Sequence, residues 1–234
     1  MRHDAENIMK FRDDLQKNKM VELKERLRKE AITIGVIGPM GVGKSTLSQI
    51  LAERLNIERV EEKFPDNPFL EDFYADPVRW SFDSQFRFML DKISQLRELD
   101  KTKSVILDPC LEMDFIYALT HQRMGWMKQE ELDLYMNAAS ALKQFKIKEP
   151  DVILRIHAPI KVLRQRIAKR GRSYEKGLLE DPPTYLQALE ASIEDFVAKD
   201  NSGKIINYDV SKDSYIKELY IAGLEAEIQR KLGS

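Results

Sequence analysis

Cysteine, histidine and long apolar runs are all scarce in this sequence. Its 234 residues hold one cysteine, Cys110, which cannot close an internal disulfide. Three histidines, His3, His121 and His157, lie far apart with no ligand spacing, so they suggest no metal site. No stretch of about 18 apolar residues and no signal-like start is present, so no membrane partner is expected and the thiol content predicts a cytoplasmic setting. A dominant charge is missing too. The 38 basic and 39 acidic side chains leave a net charge of -1, which offers no global field for nucleic acid or an anionic membrane and favours a small ligand. Tandem repeats and low-complexity linkers are also absent, and the length suits one α/β domain.

What is present is an alternation of strand and helix signals. "AITIGVI" at 31–37 reads as a buried strand, Lys44 to Leu55 as a helix and "IERVEE" at 57–62 as a second short strand. A long helix is expected from about Pro77 to Leu99, then strands at 104–108, 151–156 and 204–210. Further helices are expected over 112–122, 128–146, 159–170, 182–199 and 212–231. Nearly continuous β-branched runs are what strands covered on both faces of a parallel sheet require, so an α/β fold with a central five-stranded parallel sheet flanked by helices is expected. Residues 1–30 place Ile8, Phe11, Leu15, Met20, Leu23 and Leu27 at helical spacing. They read as an N-terminal helical extension that either covers the domain at 31–234 or forms an oligomer contact.

"GPMGVGKST" at 38–46 fits G-x-x-x-x-G-K-[ST] between a strand and a helix, the context that phosphate loop requires. Gly38, Met40, Gly41, Val42, Gly43, Lys44, Ser45 and Thr46 would wrap the phosphates of ATP, with Lys44 on the β/γ oxygens and the Ser45 hydroxyl on Mg²⁺. The loop alone fits ATPase, GTPase or kinase. No N-K-x-D guanine-reading motif and no D-x-x-G switch segment follow, so a small-molecule kinase is favoured. Asp108, ending "SVILD", is placed to hold Mg²⁺ directly or through water, its alternative being a helix cap.

The next segment, "EEKFPDNPFLEDFYADPVRWSFDSQFRF" at 61–88, carries Asn67-Pro68-Phe69-Leu70, Phe73-Tyr74, Asp76-Pro77, Arg79-Trp80-Ser81-Phe82 and Gln85. After a strand-ending carboxylate, this succession resembles the deoxynucleoside kinase family, particularly its bacterial deoxyadenosine/deoxyguanosine kinase branch. With the loop and the segment near 170, the resemblance covers most of 31–200. It implies a P-loop kinase fold with an arginine-rich lid at about 164–182, and a homodimer. Glu62 matches the family's catalytic base, with Glu61 as the neighbouring alternative; strand alternation sends the two to opposite faces. A carboxylate there suits attack by a sugar 5'-hydroxyl on a γ-phosphate.

On a helical wheel with Gln85 at zero, Phe82, Phe86, Met89, Ile93 and Leu96 fall between about 20° and 100°, so Gln85 sits at the edge of the buried stripe, where its amide suits a base edge. Trp80 reads either as part of the nucleoside pocket, as the resemblance implies, or as core. Asp114 matches the acidic member of a family base-reading pair, whose arginine aligns here with Lys92. The family's acidic-Arg-Ser triplet reads Asp108-Pro109-Cys110. Its arginine is thus a proline, and a replacement cation would come from Arg123 or the later basic segment, since the wheel turns Arg87 away. Cys110 reads as a small buried residue.

In "RQRIAKRGRSYEKG" at 164–177, Arg166 and Arg170 share a helix face and Gly171 lets the chain turn to bring in Arg172. A solvated face would explain such a run equally well, but R-x-x-x-R-G-R-x-x-E matches the family lid. The resemblance gives Arg166, Arg170 and Arg172 the transferred charge, and Glu175 with Tyr74 the sugar 3'-hydroxyl. The expected function is ATP- and Mg²⁺-dependent phosphorylation of a deoxynucleoside, a purine one by the resemblance, at its 5'-hydroxyl, a nucleotide-salvage reaction. The alternatives are a nucleoside monophosphate kinase and a non-catalytic nucleotide-binding accessory protein.

Overall fold

The computed structural model describes residues 18–62, 66–144, 147–172, 175, 184–212 and 216–233. Expectations for Ile8, Phe11 and Leu15 and for most of the lid after Arg172 fall outside these residues. Five parallel strands, β1 (Thr33–Ile37), β2 (Glu58–Glu61), β3 (Val105–Asp108), β4 (Val152–His157) and β5 (Ile205–Asp209), lie in the order β2-β3-β1-β4-β5. Their connections run through α2 (Lys44–Leu55), α3 (Leu70–Ala75), α4 (Pro77–Glu98), α5 (Leu111–Arg123), α6 (Gln129–Lys143), α7 (Ile160–Arg170) and α8 (Thr184–Lys199). A helix at 18–29, α1, precedes the sheet, and α9 (Glu218–Leu232) follows it.

Alternation along the strands divides the core in two. Ile34, Val36 and Ile106 face a cluster built with Leu23 and Leu27 of α1, Leu47 and Leu51 of α2, and Ile221 and Leu224 of α9. Ile37, Val105 and Leu107 face the other side, against Met89, Ile93 and Leu96 of α4, Met113 and Ile116 of α5, and Leu189 and Ile193 of α8. Because β1 lies inside the sheet and leads to strands on either side, the chain ends its strands around a crevice at their carboxyl ends, where ligands bind in open α/β sheets.

The long helix departs from the wheel in one respect. Its buried residues are Ser81, Ser84, Gln85, Phe88, Met89, Lys92, Ile93 and Leu96, while Phe82 and Phe86 are only half-buried and stack on each other at 5.3 Å. The wheel assumed one covered side. Polar contacts cover a second: Asn67 Nδ2 donates to the Ser84 carbonyl at 3.0 Å, and Ser81 Oγ meets His121 Nδ1 at 2.8 Å. Gln85 and Lys92 therefore lie within the buried surface and not at its rim. The helix starts with Pro77 at its first turn and Asp76 as its cap, accepting from the Arg79 N–H at 3.2 Å.

Candidate active site

The crevice at the strand ends is a cavity of about 690 Å³, within the usual size range for small-molecule sites. One end is the phosphate loop: Met40, Gly41, Gly43, Lys44, Ser45 and Thr46 line it. Gly41 has φ +76, and a Cβ there would stand 2.7 Å from Ile167 Cγ1 and 3.0 Å from the Leu163 carbonyl oxygen, so only glycine lets α7 close over the loop. Gly38 and Val42 do not line the cavity. The Val42 side chain is in the core, and its carbonyl accepts from Arg166 at 3.0 Å. Lys44 Nζ donates to the Gly38 and Pro39 carbonyls at 2.8 and 3.1 Å. Burial lowers its pKa to about 8, against the pull of Asp108 and Glu62.

Three carboxylates meet this loop. Asp108 ends β3, and its Oδ2 accepts from Ser48 Oγ at 2.8 Å and from Arg59 Nη1 at 3.1 Å, while its buried Oδ1 has no hydrogen-bond partner. The helix after it is capped at Cys110 without a side-chain bond, so the helix-cap alternative for Asp108 is not what the structure holds. Glu61 and Glu62 both line the cavity, so the expected separation to opposite faces is not what the structure holds: β2 ends at Glu61, alternation does not extend to Glu62, and the two differ only in their partners. Glu61 pairs with Arg59, two residues back on the same face of β2. Glu62, just past the strand, has its N–H fixed by the Asp108 carbonyl at 3.1 Å and its Oε1 3.3 Å from Lys92 Nζ. Arg59 is a residue the sequence reading passed over. Its signal is the period-two spacing with Glu61, and the register that sets Glu61 beside Asp108 brings it into reach.

The far end is lined by Leu70, Phe73, Tyr74, Gln85, Phe88, Asp114, Tyr117, His121 and Tyr185. Gln85 Oε1 and Asp114 Oδ2 are buried there without partners, which in a native interior calls for an explanation such as a missing ligand. Burial raises the Asp114 pKa to about 8, with Lys92 opposing the shift and Glu62 and Glu112 adding to it. His121 is locked neutral: its Nε2 meets the Tyr185 hydroxyl at 3.2 Å, it stacks on Phe73 at 4.9 Å, and burial drops its pKa to about 3. Tyr117, His121 and Tyr185 were not foreseen. Asp114, Tyr117 and His121 do follow at three and four residues along α5, a one-face spacing that marks a common wall.

Two expected pocket residues lie elsewhere. Trp80 does not line the cavity; it stacks on Phe69 at 5.8 Å under the Arg79 guanidinium at 4.4 Å. Lys92 stands behind the wall, donating to the Pro109 carbonyl at 2.9 Å, because its position falls on the buried row of α4. Arg123 pairs with Asp195 and Arg87 with Asp91, so neither reaches the cavity. Arg166, Arg170, Arg172 and Glu175 do line it. Gly171, at φ +70, ends α7, and Arg170 grips buried Glu175 through two bonds of 3.0 and 2.6 Å, with Arg172 3.5 Å away. Among the described residues no cluster of three or more potential metal-ligating side chains occurs, and no helix is long and apolar enough to cross a membrane.

Comparison with known proteins agrees with this geometry. A family model described as deoxynucleoside kinase matches residues 34–225. The chain is 32% identical over 143 residues to a deoxyguanosine kinase of Lactobacillus acidophilus, covering 59% of this chain and 63% of that one. It is 28% identical over 188 residues to a deoxyadenosine/deoxycytidine kinase of Bacillus subtilis, covering 77% of this chain and 85% of that one. Among solved structures, deoxyadenosine kinase from M. mycoides with bound dCTP superposes with a TM-score of 0.69 at 25% identity, covering 86% of this chain and 99% of that chain. With its phosphate loop, strand-end carboxylates and aromatic far wall in one cavity, the chain belongs to the deoxynucleoside kinase family.

Proposed function

We propose that this protein transfers the γ-phosphoryl group of ATP to the 5'-hydroxyl of a purine deoxynucleoside. The observation that carries the reading is a single cavity whose two ends have different chemistry, with Glu62 lining it between them. The loop and Lys44 suit the triphosphate, while the aromatic far wall, with unpartnered Gln85 and Asp114, suits a heterocycle with donors and acceptors on its edge. Purine preference is supported by relatives named deoxyguanosine kinase and deoxyadenosine kinase, while another is named for both deoxyadenosine and deoxycytidine.

In the step itself the O5'–Pγ bond forms as the bond from Pγ to the β,γ-bridging oxygen breaks. The 5'-hydroxyl proton passes to Glu62, and ADP leaves. Lys44 and the arginines of α7 and the lid, Arg166, Arg170 and Arg172, balance charge on the phosphoryl oxygens, a task worth several kcal/mol where donors are preorganised. Tyr74 and Glu175 would meet the sugar 3'-hydroxyl. Mg²⁺ fits the chain: buried Asp108 Oδ1 lacks a partner and Ser45 lines the same cavity, two oxygen ligands of the kind a hard divalent ion takes. Held there, Mg²⁺ would supply charge to the triphosphate.

Pro109 lines the cavity without a charge, which favours a neutral hydroxyl over a monophosphate as acceptor. A homodimer is included in the proposal, as family members suggest. So are residues 31–234 as the kinase domain, with 18–29 packed on it, and a cytoplasmic setting. Incubating the protein with Mg-ATP and each deoxynucleoside or its monophosphate tests the reading. Conversion of purine deoxynucleosides to 5'-monophosphates is expected, and a preference for monophosphate acceptors would overturn it.

A further inference from the structure

The buried lysine of α4 has no place in the mechanism so far. Lys92 is 3% exposed and does not line the cavity. An ammonium so placed is costly unless it is paired and hydrogen-bonded, and its two partners are the Pro109 carbonyl at 2.9 Å and Glu62 Oε1 at 3.3 Å. One turn further along α4, Gln95 Nε2 donates to the Glu61 carbonyl at 2.9 Å. The helix thus fastens both the backbone at the end of β2 and the carboxylate that follows it, while the Glu62 N–H is held from β3.

We propose that Lys92 is a positioning residue for Glu62, fixing its carboxylate toward the reacting end of the cavity, and that it does not read the nucleobase. The proposal rests on Glu62 being the base. Lys92 engages only one carboxylate oxygen, and strand-end residues past the ladder have no neighbour to fix their rotamer unless a side chain supplies it. Pro109, the residue before the α5 cap, contributes a carbonyl as the second anchor and no charge of its own. The groups whose fields reach Glu62 are Lys92 from α4, Asp114 and Tyr117 from α5, Tyr135 from α6, and Lys44 from the phosphate loop. Of the two cations, Lys44 is committed to the phosphate end. Lys92 is therefore the cation that grips the Glu62 carboxylate at its place on the cavity wall.

The test is a steady-state set of wild type, Lys92→Met, Lys92→Arg, Glu62→Gln and the double variant Glu62→Gln/Lys92→Met, each with a purine and a pyrimidine deoxynucleoside. For Lys92→Met we expect kcat to fall about 10- to 100-fold with the acceptor KM little changed. Lys92→Arg should recover most of kcat, and in the Glu62→Gln background the Lys92 change should have no further effect. A changed KM or altered ratio between the two nucleosides at unchanged kcat would make Lys92 a base reader and overturn the proposal. Equal losses with and without Glu62 would make it merely structural. Should Lys92→Met not fold, Lys92→Gln, which keeps a donor but drops the charge, takes its place. If Glu62→Gln alone keeps wild-type turnover, the assignment of the base fails first, independently of how Lys92 behaves.

Discussion

Two buried meetings of cation and carboxylate lie on opposite faces of this sheet, and they are finished differently. Between α2 and α9, the Arg54 guanidinium takes both oxygens of Glu225 at 2.7 and 3.0 Å and one of Glu218 at 2.6 Å. Glu225 is 1% exposed, Arg54 22%, and Glu225 holds the guanidinium firmly charged. On the other face, Lys92, Glu62, Asp114 and Gln85 form a cluster in which Gln85 Oε1 and Asp114 Oδ2 have no partner. A closed fork joins two helices and leaves nothing for a ligand to do. The open set has atoms on the cavity wall that a nucleoside can satisfy.

The comparison can be broken first from the closed side. Arg54→Ala leaves Glu225 buried and uncompensated, so urea unfolding should show a loss of about 3–5 kcal/mol, with turnover per folded molecule unchanged. Next comes the loop both faces share. Gly41→Ala forces a side chain into positive φ and against Ile167, a strain of about 1–3 kcal/mol, which titration calorimetry should register as weaker ATP binding.

The open side gives pH-dependent effects. Asp114 titrates at about 8 when folded and near 3.8 otherwise. Between those values the folded state holds a proton that the unfolded state has lost, so stability falls as pH rises through that window, by at most about 1.4 kcal/mol per unit. Asp114→Asn should therefore match wild type at pH 4 and exceed it increasingly toward pH 8 in paired urea melts. Lys44, lowered by burial to about 8, is driven to its charged form by phosphate. Near pH 8, ATP binding should take up about half a proton, read from calorimetry in buffers of different ionisation enthalpy, and at pH 6 almost none.

How far the sequence could be read depended on the range of the interaction. The strands were legible because β-branched runs such as "AITIGVI" report burial on both faces directly, and the phosphate loop because one motif holds all its parts. Gln85 and Asp114 were legible as site residues, yet the reason they stand out, their lack of partners, exists only once α4 and α5 are packed. Lys92 was placed in the pocket by its alignment with the family's base-reading arginine, while packing sets it behind the wall, against the Pro109 carbonyl and Glu62. Trp80 was assigned by its place in a local string, while Phe69 and Arg79 hold it outside the cavity. Arg59 was passed over because its spacing with Glu61 gains meaning only through Asp108, 49 residues away, which comes beside it by strand register.

The most direct measurement compares wild type with Glu62→Gln, following conversion of a purine deoxynucleoside to its 5'-monophosphate while ATP affinity is measured in parallel. Loss of an aligned general base should lower kcat by about 10²- to 10⁴-fold, with ATP bound as before. Turnover retained in the variant, or lost together with ATP binding, would contradict the assignment of Glu62 as the group that takes the acceptor's proton.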